Sequence, residues 1–392
     1  MRVAAATRPL LPLAAVTAGL ASSASLAAEW VVTPSAIATT HAQQNPYLQP
    51  DEKSRDETST GVSTQANLDL SRETERLSLS LHPSASLYRY PDKSQLDRDE
   101  EHLNGAMSWR NEKSVWGADV SFARDTTLTS ELGDTGLTQG NQRHEAYGAS
   151  LGPSFQLSER LTVQASVGSS VNRYPGTPSD FLENYRYDSV STGLSYVLSD
   201  RALLSLSGAA GRLNSEGQGN HTDNASLSLG IQYALSPYWT VGAGAGPSLT
   251  RLGDTNQRGV VYHASLARSL EDAALSLSVS RSQQPSGSAI ITNVEQAALS
   301  YGATLSERLT SSVTATYVRR SNVFRAFGLD LNRVRYARLE TSLSWHVSPS
   351  WQIGAGAGGS LQKTSSFFVN DQTGRGYDVS LSLSWNGKPY VN

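Results

Sequence analysis

Two histidine–serine pairs are the residues of this 392-residue sequence whose spacing could support hydrolysis. His82 stands two positions before Ser84, and His263 stands two positions before Ser265. A histidine next to a serine hydroxyl is typical of acyl transfer, but an acidic residue must orient the histidine. Neither pair has an obvious acidic partner in the sequence. We therefore predict no catalytic residues and no enzymatic activity.

Cofactor and metal chemistry have equally little support in the sequence. There is no cysteine, and no pair of the seven histidines has a spacing typical of metal ligands. The glycine-rich stretch Gly242–Gly246 falls within a predicted strand and lacks the form of a phosphate-binding loop. A net charge of −3 argues against a strongly basic nucleic-acid binder. We expect no metal, no cofactor and no nucleic-acid partner.

A cluster of arginines is the strongest charge signal in the chain. Between Tyr317 and Glu340 the only acids are Asp330 and Glu340, whereas the arginines are Arg319, Arg320, Arg325, Arg333, Arg335 and Arg338. The alternation described below divides them into two groups. Arg319, Arg333 and Arg335 would face lipid, where they could bind lipopolysaccharide phosphates. Arg320 and Arg338 would face a lumen and attract an anionic solute or polymer. The alternative is a solvated rim whose charges pair with acidic loops such as Asp97–Glu101.

Apolar residues alternate with polar ones along almost the whole chain. In the last such segment Tyr377, Val379, Leu381, Leu383 and Trp385 alternate with Asp378 and three serines. Period-two alternation predicts a strand with one apolar face. Very short connectors, such as Ser158–Arg160 and Ser236–Tyr238, take turns with longer polar connectors such as 42–58 and 127–142. The repeat of about 40 residues is therefore a hairpin plus a long loop.

The composition of the face opposite the apolar one distinguishes a membrane barrel from a soluble sandwich or propeller. It consists mainly of serine, glycine, threonine and glutamine, while tryptophans collect at strand ends. These features predict an all-β transmembrane antiparallel up-and-down β-barrel. We predict 18 strands with both termini periplasmic; 16 is the alternative, because Pro34 interrupts the first strand. A mean hydropathy of −0.36 agrees with alternate residues facing lipid and water.

Three prolines conflict with this reading because they fall inside predicted strands. A proline in a central strand removes one hydrogen bond of the ladder. We therefore expect β-bulges at Pro83, Pro153 and Pro247.

The N-terminus has the layout of a secretory signal peptide. Arg2 and Arg8 precede the apolar stretch Leu10–Leu20, and small residues follow. We predict a signal peptide over residues 1–27, cleavage after Ala27 and an outer-membrane barrel over residues 28–392. Loss of the two arginines would change the net charge from −3 to −5.

A barrel of this width requires either a water-filled lumen or a plug. No long inward-folding loop is evident from the sequence, and we expect a hydrophilic, weakly selective lumen in which aspartates oppose Arg76 and Arg110. The residues predicted to line it are Gln65, Asn67, Asp69, Arg76, Arg110, Asp119, Gln164, Gln232, Arg320, Arg338, Glu340 and Asp378.

Serine-rich alternating strands, Leu-Ser-x-Arg or Ser-Pro-x-Trp turns and the terminal strand Tyr377–Trp385 resemble the β-barrel porins that accompany exopolysaccharide secretion in Gram-negative bacteria. The resemblance implies an outer-membrane conduit that exports exopolysaccharide with periplasmic export components as partners, in contact with outer-membrane lipid and lipopolysaccharide. The chain departs from that pattern after Trp385, where a seven-residue tail follows. A general diffusion porin and a non-transporting structural or adhesive barrel remain alternatives.

Overall fold

The protein is a closed antiparallel β-barrel of 18 long strands. The computed structural model describes residues 29–49, 58–134, 141–176, 182–217, 221–323, 332–366 and 369–391. Each strand pairs with its neighbours in the chain, and β1 pairs with both β2 and β18, which closes the sheet. The predicted 18 strands are confirmed. The predicted signal peptide and its cleavage site lie outside the described residues.

The strands β1 to β18 have the following bounds: Trp30–Gln44, Thr58–Glu73, Leu77–Arg89, Arg98–Arg110, Ser114–Thr126, Arg143–Gln156, Leu161–Arg173, Tyr185–Ser199, Ala202–Ser215, His221–Ala234, Trp239–Leu252, Thr255–Ser269, Ala273–Pro285, Ile291–Ser306, Leu309–Asn322, Asn332–Ser348, Trp351–Ser366 and Val369–Asn386. A short β19, Tyr390–Val391, pairs with the start of β1. A 3-10 turn, Ser94–Leu96, follows β3, and one helix, α1 (Thr127–Asp134), follows β5. Within the described ranges, no helix is long and apolar enough to cross a membrane.

The two ends of the barrel differ in the length of their connections. We call the end with the short connections the turn end and the other the loop end. The first and last described residues lie at the turn end, because Trp30 pairs with Arg72 and Val31 pairs with Val391. The sequence alternation predicts strand starts near residues 76, 115, 161, 202, 239, 273, 309 and 351 after the short turns, and the observed starts agree to within one residue. At the loop end the strands begin two to eight residues before the predicted positions, as at β18, which starts at Val369 rather than near residue 377.

The register assigns every side chain of a strand to one of two faces. Leu48, in the connection after β1, packs on Val318 and Tyr336, which identifies their face as the inner one. Leu339, Leu343 and Trp345 have the opposite parity on β16 and are exposed apolar side chains. The inner face is rich in serine, and serine hydroxyls bond across strands at 2.7 Å, as between Ser207 and Ser228.

Aromatic side chains form two rows on the outer face. The turn-end row consists of Trp109, Trp116, Tyr196, Tyr233, Trp239, Tyr301, Trp345, Trp351 and Trp385, and the loop-end row of Phe122, Tyr147, Tyr262, Tyr317 and Tyr377. On β18, Tyr377 and Trp385 are eight residues apart (385 − 377), or roughly 26 Å along a strand at 3.3 Å per residue. At a strand tilt of about 40°, this length corresponds to a height of roughly 20 Å, comparable to the apolar band of a transmembrane barrel.

The predicted β-bulges at the three prolines are wrong. Each proline stays in register with one neighbouring strand, through the pairs Pro83–Leu103, Trp116–Pro153 and Pro247–Val260. Towards the other neighbour the ladder skips two residue pairs and resumes with the same register. The missing N–H therefore weakens one edge of the strand locally, and no residue is inserted.

Candidate functional site

The loop end of the lumen is narrowed by connections that fold onto the inner face, which corrects the expectation that no loop folds inward. The segment 45–49 lies against β14–β16 and β18: Leu48 is buried by Val294, Val318 and Tyr336. The Asn45 side-chain amide donates to the carbonyl of Arg375 at 3.0 Å. A Cβ at Gly374 would overlap the carbonyl oxygen of Leu48, so glycine there permits the close approach.

A second set of contacts bridges the lumen between distant strands. The backbone N–H of Glu183, just before β8, donates to the carbonyl of Gly287, just before β14, at 2.9 Å. Tyr185 and Leu213 pack there against Ile291 in a buried apolar cluster. Strands β8 and β14 are six positions apart (14 − 8) in the closed sheet, so these loops cover part of the opening.

Two charged residues, Arg98 and Glu100, lie beside the aromatic residues Tyr88 and Tyr90, close to segment 45–49. Arg98 lies over the ring of Tyr88, its guanidinium carbon 3.7 Å from the ring centroid, and pairs with Glu100 at 2.7 Å. Both members of this ion pair are buried, at 13% and 4% side-chain exposure. Burial of two charges is tolerated here because each is hydrogen-bonded and the cation also contacts an aromatic face. The hydroxyl of Thr129 in α1 donates to Glu100 as well.

Tyr90 closes the side of this cluster next to β1. Its hydroxyl hydrogen-bonds to Nε2 of His41 at 2.7 Å, and its backbone N–H donates to the Asp97 carboxylate at 2.7 Å. Burial raises the pKa of the Tyr90 hydroxyl, and the positive charge of Arg98 acts in the opposite direction. A Cβ at Gly61 would come within 2.7 Å of the Tyr90 ring. Because Gly61 has no side chain, the Tyr90 ring can pack closely against β2 at this position.

The second half of the site comes from β16 and β18. Arg338 pairs with Glu340 at 2.6 Å and with Asp378 at 3.0 Å, and it donates to the Ser360 hydroxyl at 2.9 Å. One cavity of about 360 Å³ is lined by members of both groups, namely Arg338, Ser360, Asp378, Arg98 and Thr129, together with His41, Tyr88, Tyr90 and Leu48. We call this cavity the lumen site. It presents charges of both signs, aromatic faces and hydroxyls, a set suited to a small polar solute.

The predicted lumen residues all have the parity of the inner face, but they occupy different environments. Arg338 and Asp378 come together in the lumen site, and Glu340 pairs with Arg338 beside it. Arg320 lies nearby on the inner face but is buried, at 5% exposure. Gln65 donates to Asn67 at 2.7 Å, and Asp119 accepts a hydrogen bond from Ser150 at 3.1 Å. Gln164 lies on β7 and Gln232 on β10, in the rows that carry the serines.

The expected opposition of aspartates to Arg76 and Arg110 is not observed. Arg76 and Arg110 lie at the turn end, where the N–H of Arg110 donates to the carbonyl of Arg76 at 2.6 Å. Asp69 pairs instead with His82 at 2.6 Å. His82 therefore has the acidic partner that the sequence did not reveal, although in the described part of the chain no serine hydroxyl hydrogen-bonds to it.

The segment Asp97–Glu101 does not pair with the arginine cluster of β15 and β16, because alternation sends its side chains to both faces. Arg98 and Glu100 point inward to the lumen site. Asp99 and Glu101 point outward and pair with Arg89 at 2.7 Å and Arg124 at 3.6 Å. The sequence analysis therefore missed Arg98, Glu100 and Tyr88. The same alternation, extended from residue 102 back to residue 98, indicates the inner face for Arg98 and Glu100.

Arg319, Arg333 and Arg335 all lie on the outer face at the loop end, in the row above Tyr317. They belong to a wider band, which we call the basic belt, in which cations outnumber acids. Among the described side chains, its cations on β7–β18 are Arg173, Arg186, Arg212, Arg251, Arg258, Arg281, Arg319, Arg333, Arg335, Lys363 and Arg375, and its acids are Asp188, Asp223 and Glu295.

Comparison with solved structures places the fold among known barrels. The chain is similar to Pseudomonas aeruginosa OccK2 (OpdF), solved in complex with glucuronate, at 14% identity and a TM-score of 0.50, covering 92% of this chain and 98% of that one. It is similar to OccK9 (OpdG) of the same organism at 12% identity and a TM-score of 0.50, with the same coverage. The siderophore receptor PirA from Pseudomonas aeruginosa matches at 14% identity and a TM-score of 0.44, covering 90% and 80%. No family model and no curated protein matches the chain.

Proposed function

We propose that the protein is a porin-like conduit of the bacterial outer membrane. The observation that carries the proposal is the closed 18-strand barrel with a serine-rich inner face and an apolar outer band between two aromatic rows. In hydrocarbon every backbone polar group needs an internal partner, and a closed antiparallel barrel provides this. The predicted secretory signal supports the same location, with both termini on the periplasmic side.

The lumen site supports a small polar solute as cargo. Its cavity of about 360 Å³ lies in the size range of sites that hold small molecules. Arg338 lies between two carboxylates, so the site offers hydrogen-bond donors and acceptors to one solute and does not act as a simple anion trap. The hydroxyl-lined wall below it provides polar contacts on the way to the turn end.

Single-channel recording in planar bilayers tests the conduit. The full chain should give stepwise conductance, and addition of a solute that binds the lumen site should interrupt the current. A folded, heat-modifiable barrel that gives no conductance steps at any voltage would contradict the proposal.

Export of exopolysaccharide is the finer proposal, and it rests on the resemblance of turns and strands alone. The contacts between the β8 and β14 regions argue against a wide path unless these loops separate. Deletion of the gene in its host should then abolish surface polysaccharide while leaving polysaccharide synthesis intact. Unchanged surface polysaccharide would exclude this role and leave the conduit for small solutes in place.

A non-transporting surface barrel is the second candidate, and the bridging loops favour it. If the loops stay closed, the barrel should show no conductance, and swelling of proteoliposomes in sugar solutions should not exceed that of empty liposomes. Conductance that requires no loop deletion would exclude this candidate.

A further inference from the structure

A groove of about 750 Å³ crosses the outer face of β14–β18, directly below the basic belt. Its floor consists of small side chains, because Ala315, Ala337 and Gly359 occupy successive strands. Larger apolar side chains, including Leu339 and Tyr377, form its walls. The groove lies within the apolar band, so its occupant must be apolar along most of its length.

Cations stand at the loop-end rim of this groove. Arg375 lines the groove itself, and Arg335 and Lys363 are register partners in the row above it. Arg335 and Arg375 are both exposed. Among the side chains that the structure describes, no acidic one pairs with either of them. Arg319, one strand away, differs because Glu295 holds it at 3.1 Å.

We propose that this surface binds a phosphorylated, acylated glycolipid of the outer leaflet, that is, a lipopolysaccharide molecule. One acyl chain lies over Ala315, Ala337 and Gly359, and a phosphate contacts Arg335 and Arg375. This inference rests on the proposed outer-membrane location but not on transport. Guanidinium groups bind phosphate through two parallel hydrogen bonds, and cations next to hydrocarbon are costly without a counter-charge.

The same charges argue against a second copy of the chain as the occupant. Small residues on a lipid-facing surface can also mark contact between membrane segments. In a twofold dimer built on this groove, Arg335, Lys363 and Arg375 of both copies would approach one another. Like charges near hydrocarbon would oppose that contact, whereas the phosphates of lipopolysaccharide neutralise them.

The test compares lipid retained by three purified barrels under native mass spectrometry. In the first variant Arg335→Gln and Arg375→Gln are combined. The matched control combines Arg173→Gln and Arg258→Gln, two exposed belt arginines away from the groove. We expect the first variant to retain lipopolysaccharide roughly tenfold less well, since loss of about 1.4 kcal/mol corresponds to tenfold, and the control to resemble the unmodified barrel. Equal retention by all three would overturn the proposal.

A second variant separates the acyl contact from the charge. Ala315→Phe combined with Ala337→Phe fills the floor of the groove and should lower retention while the cations remain. Purified lipopolysaccharide and phosphatidylglycerol are then titrated separately onto the delipidated barrel. Equal affinity for phosphatidylglycerol, or a dimer that the phenylalanines dissolve, would each overturn the proposal. Conductance of all variants should equal that of the unmodified barrel, so unchanged lipid binding in both groove variants with intact conductance refutes this site and leaves the conduit standing.

Discussion

Arg338 on β16 binds Asp378 on β18 at 3.0 Å, although β17 lies between the two strands. The inner-face residue of β17 between Glu340 and Asp378 is Gly358. A Cβ there would stand 2.7 Å from the Asp378 carboxylate, so glycine leaves the carboxylate room to lean across. The absence of one side chain therefore creates an ion pair that skips a strand.

Removing either partner of this pair should change ion selectivity in opposite directions. Arg338→Ala leaves Glu340 and Asp378 without their cation and should favour cations, whereas Asp378→Asn leaves an excess of positive charge and should favour anions. One unit charge about 4 Å from a passing ion contributes about 1 kcal/mol in water, which corresponds to a permeability ratio changed roughly fivefold. Reversal potentials in a salt gradient measure this ratio.

The inner-face aspartate Asp119 provides the control. It lies on β5 and accepts a hydrogen bond from Ser150, outside the lumen site. Asp119→Asn should shift the ratio less than Asp378→Asn does. Shifts of the same sign for Arg338→Ala and Asp378→Asn would show that ions do not pass the lumen site.

Gly358→Val should reproduce the loss of the Arg338–Asp378 contact without removing a charge. The valine side chain would occupy the space of the Asp378 carboxylate, and a partly exposed ion pair of this kind contributes about 1 kcal/mol to stability. We expect an unchanged permeability ratio but a lower single-channel conductance, because all charges remain while the lumen site narrows. Wild-type conductance in this variant would contradict the assigned position of Gly358.

Leu48→Asp should release segment 45–49 from the wall. Leu48 is 4% exposed and packs on Val294, Val318 and Tyr336, and an unpaired carboxylate is not tolerated in such an apolar contact. Single-channel conductance should rise because the loop end opens. Leu157→Asp, at a 63% exposed position of a turn at the opposite end, is the matched control and should leave conductance unchanged. Equal conductance for both variants would mean that segment 45–49 does not restrict the lumen.

Gly246→Ala should destabilise the barrel next to Pro247. A Cβ at this position would overlap the carbonyl oxygen of Leu227 on β10, and such overpacking costs about 1–3 kcal/mol. At Gly302 the nearest backbone atom is 4.0 Å away, so Gly302→Ala should be close to neutral. Samples heated to increasing temperatures are run on a gel beside an unheated reference. The temperature at which the folded band disappears is then compared between the two variants. Equal temperatures would contradict the close strand approach at Pro247.

The sequence predicted the strand number and the two faces because alternation is a local property. The side-chain period of a strand is two, so Tyr377–Trp385 reveals its faces without reference to any other segment. Short turns such as Ser158–Arg160 also mark strand starts well. Strand starts at the loop end were less predictable, because there the strands continue past the apolar band as polar segments, as Val369–Gly376 does.

The contacts that narrow the lumen were beyond the sequence because they join residues far apart in the chain. Leu48 meets Tyr336, and Glu183 meets Gly287, only after the barrel has closed and the loops have folded over its opening. Likewise, Arg335, Lys363 and Arg375 form one cationic rim only in the register of β16–β18. The sequence by itself determined the barrel, its strand number and which residues could face water. The tertiary structure alone decided which of them meet, because register and loop packing depend on contacts across the closed sheet.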